Sequence, residues 1–509
     1  MSGVRAPRPL LLAAVAVAAA TAIPLVYLAE RAMSRGAGFV VAELLAPRTA
    51  ALIGRSLLLV TVVTAASVLL GVGLAVLLAR TDLAARRVWA VALMLPLAVP
   101  SYLMAFLWVS LFPRFGGLWG SALTLTLVCY PLVLMTTLAA LTRVDPGQEE
   151  VARTLGRGGA AVLFGVTLRQ VRPAVTAGAL LVALYVLSDF GAVAAMRYEA
   201  FTWVIYGAYR SGFNPARAAV LSLLLLVFAM VLVAGERWAR GRAEARVGSG
   251  APRPAPVSRL GRRQPVAQAA AAAVLLVALA VPGYALSVWL SAGGLRFDGP
   301  AWVSAMAATV WLSAAAALVT TVAALPLAVL AARYRSPGVR LLESVSYLSH
   351  GLPGVVVAIA MVSVGVALLR PIYQREPLLI LAYAVLFIPL ALGSARAAVE
   401  AVPPRLDEVA RSLGRPPLRA FLGVSARISA PGIAAAAILV LLTCMKELPV
   451  TLLLHPTGTH TLATRMWGHS FVSDYAAAAP YALALLLFAA IPTAALGVWT
   501  TRAPAVAHV

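Results

Sequence analysis

Along this 509-residue chain, apolar runs of roughly 20 residues follow one another with short polar gaps, and that is about the length a helix needs to cross a bilayer. They fall near residues 10–28, 56–79, 88–112, 118–142, 173–196, 216–236, 266–290, 302–332, 342–369, 378–399, 432–450 and 476–500. Hydrocarbon offers no partner to a free backbone N–H or C=O, so segments of this kind can only be helices that satisfy their own backbone. The expected fold is an all-α polytopic membrane protein of about 12 transmembrane helices. Composition agrees: 62% of residues are apolar, 12% are charged and the mean hydropathy is +0.93. The first run follows Arg5 and Arg8 and resembles a signal peptide, but it exceeds an ordinary apolar signal core, so an uncleaved first span is expected. Cys129 and Cys444 lie inside apolar runs without metal or disulfide spacing and read as small core residues.

The net charge of +23 could suggest nucleic acid, yet on a membrane protein basic residues report topology first. With the N-terminus in the cytoplasm, 28 of the 41 Lys and Arg residues fall in or beside cytoplasmic segments. That bias predicts both termini on the cytoplasmic side of the inner membrane and no nucleic-acid partner.

A second feature divides the chain. Glu149 to Pro173, EEVARTLGRGGAAVLFGVTLRQVRP, aligns without a gap on Asp407 to Pro431, DEVARSLGRPPLRAFLGVSARISAP, with 11 of 25 pairs identical. Both copies are polar and Arg-rich between apolar runs, which makes each a loop at the membrane surface. Asp145-Pro146 and Pro403-Pro404 offer helix starts, with Glu149, Glu150, Asp407 and Glu408 near the positive helix end. Val151, Ala152 and Leu155, like Val409, Ala410 and Leu413, are expected to form one apolar stripe, ended or bent by Gly156 or Gly414 before a second short helix.

Glu150-x-Ala152-x-x-x-Gly156 followed by Val166, and Glu408-x-Ala410-x-x-x-Gly414 followed by Val424, resemble the EAA loops of the permease subunits of binding-protein-dependent ABC importers. The resemblance implies that each elbow, loops 143–173 and 401–431, is a coupling helix docking on a cytoplasmic ATPase. Two departures from the family pattern occur in both copies: Val151 and Val409 at the second motif position, and Arg169 and Arg427 where a Pro is usual. The resemblance also implies two ATPase subunits, an extracytoplasmic substrate-binding protein, no cofactor in this subunit, and ATP bound by the partners. In keeping with that, the sequence carries no G-x-x-x-x-G-K-[ST] phosphate loop and no catalytic constellation, so a transport subunit is expected and an enzyme is not.

Further landmarks extend the repeat. Leu74-Ala75-Val76-Leu77 through Arg80 matches Leu327-Ala328-Val329-Leu330 through Arg333, and Pro100 matches Pro353. The expected organisation is a first permease half at 1–236, a basic cytoplasmic linker at 237–265 rich in Arg, Pro and Gly, and a second half at 266–509. An even number of spans per half makes the two six-helix repeats parallel.

Ionisable groups at membrane depth are costly and usually functional. The candidates are Asp189 and Glu447, at matching repeat positions near the outer ends of their runs. They either face a translocation path or cap helix ends, and both readings stand. The strings SDFGAVA and KELPVTLLLHPTGTHTLATRMW resemble the fused permeases of ferric-iron importers, a set close to thiamine permeases and more distantly to sulfate and putrescine ones. Asp189, Glu199, Tyr198, Glu447, Asp474 and Tyr475 would offer oxygen to a hard cation. His455, His460 and His469 match no compact metal motif, so metal ligands stay unknown, and Trp203, Tyr206, Tyr209 and Trp467 would suit thiamine instead. A gradient-driven transporter of twelve spans is the rival class, and it gives no reason for a duplicated cytoplasmic motif.

Overall fold

The computed structural model describes residues 7–142, 144, 146–241, 257–292, 298–334, 336–348 and 352–502. Asp145, at an expected helix start, and residues 242–256 of the expected linker lie outside them. The first-half helices are α1 (Arg8–Met33), α2 (Ala37–Leu44), α3 (Pro47–Arg80), α4 (Arg86–Ala92), α5 (Ser101–Leu111), α6 (Gly117–Leu141), α7 (Pro146–Thr154), α8 (Gly159–Val162), α9 (Leu168–Ser188), α10 (Gly191–Ala195), α11 (Phe201–Arg210) and α12 (Pro215–Gly241). They are followed by α13 (Gln264–Leu275), α14 (Val281–Ala292), α15 (Gly299–Arg333), α16 (Pro337–Leu348), α17 (Gly354–Ala367), α18 (Glu376–Glu400), α19 (Arg405–Ser412), α20 (Pro417–Ala420), α21 (Ala426–Lys446), α22 (Pro449–Leu454), α23 (Leu462–Phe471) and α24 (Tyr475–Arg502).

Nine helical stretches among the described residues are long and apolar enough to cross a membrane, and the bent pair formed by 86–98 and 101–111 would make ten. Three of the twelve expected runs differ from a single long apolar helix among the described residues. The run 88–112 turns by 89° between its two parts. Pro96 opens a 3₁₀ turn at Leu95–Ala98, and Pro100 then caps α5 without an N–H to continue the ladder. The run 342–369 is divided between α16 and α17, with residues 349–351 outside the described ones. The last run is a shorter apolar helix over its described side chains, Tyr475–Ala490. Two further runs shift their boundaries: helix starts at Gly159 rather than 173 and ends at Ser188 rather than 196, and its counterpart ends at Lys446 rather than 450. Pro173 and Pro431 lie inside α9 and α21 instead of closing the elbows.

Two compact units arise, and neither is one half of the sequence. Unit 1 holds residues 1–46, 204–226 and 297–465; unit 2 holds 47–203, 227–296 and 466–509. In unit 2, α3 lies along α6 and α9, and α14 packs on α5 and α24. Close approach is permitted by Gly71, where a Cβ would sit 2.7 Å from the Val133 Cβ. Leu74, Leu78, Leu134, Leu141 and Val171 fill the space between these helices, and the buried Tyr130 hydroxyl donates to the Leu93 carbonyl at 2.8 Å. In unit 1, α15 lies along α18 and α21, and α1 packs on α15, α16 and α17.

Candidate functional site

The two repeated elbows fold alike, each within its own unit. α7 and α19 both end in a left-handed glycine, Gly156 at φ 77° and Gly414 at φ 84°. The Gly156 N–H donates to the Arg153 carbonyl (2.9 Å) and the Arg157 N–H to that of Ala152 (3.1 Å). Gly414 and Arg415 repeat this with Arg411 (3.0 Å) and Ala410 (3.2 Å). The paired bonds close a Schellman cap, whose left-handed residue is most readily glycine. After each cap comes a four-residue helix, α8 or α20, then a π turn at Leu163–Thr167 or Phe421–Ser425 that runs into α9 or α21.

The expected apolar stripe is corrected in both copies. Ala152 and Ala410 face inward, each 7% exposed, whereas Val151, Leu155 and Phe164 are exposed, as are Val409, Leu413 and Leu422. Alanine is the residue that fits against the underlying chain, and the larger apolar groups point the other way. Glu150 and Glu408 are exposed beside them, and Val166 and Val424 are half-buried in the π turns. Each elbow thus presents an acid and three matching apolar groups outward, and the second adds Leu406 and Ile428.

A feature that sequence reasoning missed holds each elbow from beneath. The Glu149 carboxylate lies 2.9 Å from Arg80 Nη2, with both side chains buried, and accepts a hydrogen bond from Thr167 Oγ1 at 2.8 Å. In the second copy, Ser425 Oγ donates to Asp407 Oδ2 at 2.6 Å and accepts from Arg333 Nη2 at 3.0 Å, leaving Arg333 3.8 Å from the carboxylate. Arg333 Nη1 also donates to the Val402 carbonyl at 2.9 Å. The signal was present, since Arg80 and Arg333 are repeat landmarks, but it identified no partner.

The two candidate path carboxylates occupy matching breaks in separate units. In unit 2 the buried Asp189 follows the end of α9; its Oδ1 accepts the Ala192 N–H at 2.9 Å and its Oδ2 accepts the Ser101 hydroxyl. Thr202 Oγ1 closes on the Asp189 carbonyl at 2.5 Å. In unit 1, Glu447 follows the end of α21; its Oε1 accepts the Val450 N–H at 3.2 Å, and Thr451 Oγ1 donates to its carbonyl at 2.7 Å. Both carboxylates therefore meet the N-terminal N–H groups of the short helices α10 and α22, which favour negative charge.

The other oxygen candidates are spread out. Glu199 pairs with Arg55, and the Tyr198 hydroxyl donates to the Arg55 carbonyl at 2.8 Å. Asp474 lies 3.6 Å from His469 Nδ1, and Tyr475 stacks on Trp289 at 4.8 Å between ring centroids. His455 and His460 lie 5.5 Å apart, and burial, the Arg465 guanidinium and His455 hold the His460 imidazole below its ordinary pKa. Among the described residues no group of three or more His, Cys, Asp or Glu is placed to hold a metal ion. Of the aromatic candidates, Trp203 and Trp467 both lie against Phe190, at 6.0 and 5.6 Å between centroids, and Trp467 also meets Tyr102 and Phe106. Tyr206 is bonded through its hydroxyl to Arg210 at 2.8 Å, and Tyr209 is half-buried in unit 1.

Residues 67–240 and 324–502 each match the family model described as the binding-protein-dependent transport system inner membrane component. The chain is 34% identical over 475 residues to the Fe(3+)-transport system permease protein FbpB 2 of Haemophilus influenzae, covering 92% of this chain and 94% of the relative. Shorter similarities include sulfate permease 2 of the Chlamydomonas reinhardtii chloroplast, 30% identical over 25% of this chain and 34% of the relative. A probable molybdenum ABC transporter permease of Haloferax volcanii is 28% identical over 35% of this chain and 71% of the relative. With two copies of the domain and a relative matched almost end to end, the chain belongs to the family of inner membrane permease components of binding-protein-dependent transport systems.

Proposed function

We propose that this chain is the transmembrane subunit of an ATP-driven ferric-iron importer. Its two elbows dock two identical cytoplasmic ATPase subunits, which bind the ATP, and a periplasmic or lipid-anchored binding protein delivers the iron outside. In this reading both termini lie in the cytoplasm, six spans stand on each side of the 237–265 linker, and Asp189 and Glu447 line the path. The supporting observation is the pair of elbows, each with the same glycine cap and presenting an acid, Glu150 or Glu408, beside three matching exposed apolar groups. One surface shown twice suits two copies of one partner, which a gradient-driven transporter would not need. Iron is supported by the 34% identity to the Haemophilus influenzae permease across nearly all of both chains.

The test is uptake of radioactive iron, beside thiamine, into vesicles holding the full complex with its binding protein. ATP-dependent iron uptake is expected. Thiamine uptake without iron uptake would overturn the substrate and leave the importer standing; uptake that persists without the ATPase would overturn the importer.

A further inference from the structure

Each elbow is held to its unit in two ways. One is covalent, through the chain to α6 and α9 or to α18 and α21. The other is the buried cluster Arg80–Glu149–Thr167, repeated part-buried as Arg333–Asp407–Ser425. Both arginines come from the last turn of the long helices α3 and α15, outside the elbow motif. α3 lies along α6 and α9, and α15 along α18 and α21. Toward α9 or α21 the covalent attachment is a poor lever, because a left-handed glycine cap and a π turn both interrupt the helix on the way. A buried ion pair gains little net stability over an apolar contact of the same volume, so stability alone gives it little reason to occur twice. What it supplies is a fixed point of connection, since one guanidinium nitrogen of Arg80 meets the Glu149 carboxylate and one of Arg333 meets the Ser425 hydroxyl.

We propose that Arg80 and Arg333 are positioning residues for energy coupling, locking each elbow to α3 or α15 so that displacement of the elbow moves that span with it. The inference rests on the importer reading above, and its experiment separates the two. The variant combines Arg80→Gln, Glu149→Gln, Arg333→Gln and Asp407→Asn, which removes both charges of each pair together and so leaves no lone buried charge. Two measurements are made. In the reconstituted complex, the ATP hydrolysed per iron transported is expected to rise about tenfold while the ATPase still co-purifies, the scale of an ordinary coupling free energy. In the chain without its ATPase, carrying Cys129→Ala, Cys444→Ala and a spin label at Leu155→Cys, the label is expected to become more mobile. Arg80→Lys with Arg333→Lys keeps the cations and should return the ATP-to-iron ratio to within about twofold of the parent, because a lysine still supplies a point charge to the carboxylate. An unchanged ratio, or lost ATPase binding with unchanged label mobility, would overturn the lock. If the parent complex moves no solute with ATP, the importer reading fails, and the label still decides whether the arginines hold the elbow.

Discussion

The two elbows and the two helix breaks come from the same internal repeat, yet they have diverged to different degrees. The elbows share the glycine cap, the π turn, the inward alanine and the ion cluster. Where Glu149 reaches Arg80 directly, the shorter Asp407 is bridged to Arg333 by Ser425, so the same connection is kept with different atoms. At the breaks only the capping geometry is shared. Asp189 pairs with Ser101, whereas the longer Glu447 lies against Gly354, the repeat counterpart of Ser101, where a Cβ would meet the carboxylate. Asp189 is followed by Phe190 in an aromatic cluster; Glu447 is followed by Leu448. The lesson is that the elbows keep one geometry in both copies, as the proposed docking of two equal ATPase subunits would require, while the breaks share only helix capping and differ in local volume.

The comparison predicts equal effects at the elbows. Glu150→Arg with Glu408→Arg should lower iron uptake by about a hundredfold or more, since like-charge placement at a docking contact costs several kcal/mol. The two single variants should match each other. Uptake and ATPase co-purification measure both, and a strong effect from one elbow with none from the other would break the comparison.

At the breaks the charges themselves can be removed. Asn at 189 or Gln at 447 can still accept the Ala192 or Val450 N–H, so the short helices keep their caps. If the carboxylates also face a trivalent cation, Asp189→Asn with Glu447→Gln should lower iron uptake about tenfold, because a charge is felt strongly at low dielectric. Iron uptake within twofold of the parent would leave them as caps alone.

Unequal local volume makes a third prediction. Gly354→Ser should destabilise the protein by about 1–3 kcal/mol through overpacking against Glu447. Adding Glu447→Asp converts this break to the Ser–Asp pairing seen at residues 101 and 189 and should recover most of the loss. Thermal unfolding in detergent reads both variants, and the absence of any recovery would show that the two breaks are not built on one plan.

These asymmetries explain which parts were legible in the sequence. The elbow could be read because Gly156 and Gly414 interrupt a helical pattern, and left-handed glycine is local chemistry. The direction of Ala152 could not, since periodicity groups it with Val151 and Leu155 and only packing separates them. The ends of α9 and α21 were hidden because GAVAAM and PVTLLL carry the apolar run on past Asp189 and Glu447, so each carboxylate read as a charge near the end of a longer span. The bend in 88–112 had its signal in Pro96 and Pro100, but an apolar run alone does not distinguish a straight span from a folded one. The Arg80–Glu149 pair joins residues far apart in the chain, beyond the reach of any periodic pattern.

The smallest effect is the sharpest test of equality, because the glycine caps are nearly identical. Gly156→Ala and Gly414→Ala place a Cβ where φ is 77° and 84°, with no atom within 4 Å of that Cβ at either site. No clash is involved, so the cost is conformational alone, about 1 kcal/mol at each position. Because neither cap lies in a span, insertion and the packing of α3 or α15 should be unaffected. Thermal unfolding should therefore shift slightly and by the same amount in both variants, and ATPase affinity should fall severalfold in each if the cap sets the angle of the docking helix. A loss at Gly156 several times that at Gly414 would mean that the linker end beside the first elbow adds a constraint. Ser258 donates its N–H to the Arg80 carbonyl at 2.8 Å and Leu260 its N–H to Asp82 Oδ1 at 2.7 Å. Asp82→Ala in the Gly156→Ala background would then release that constraint and bring the two elbows back to equality.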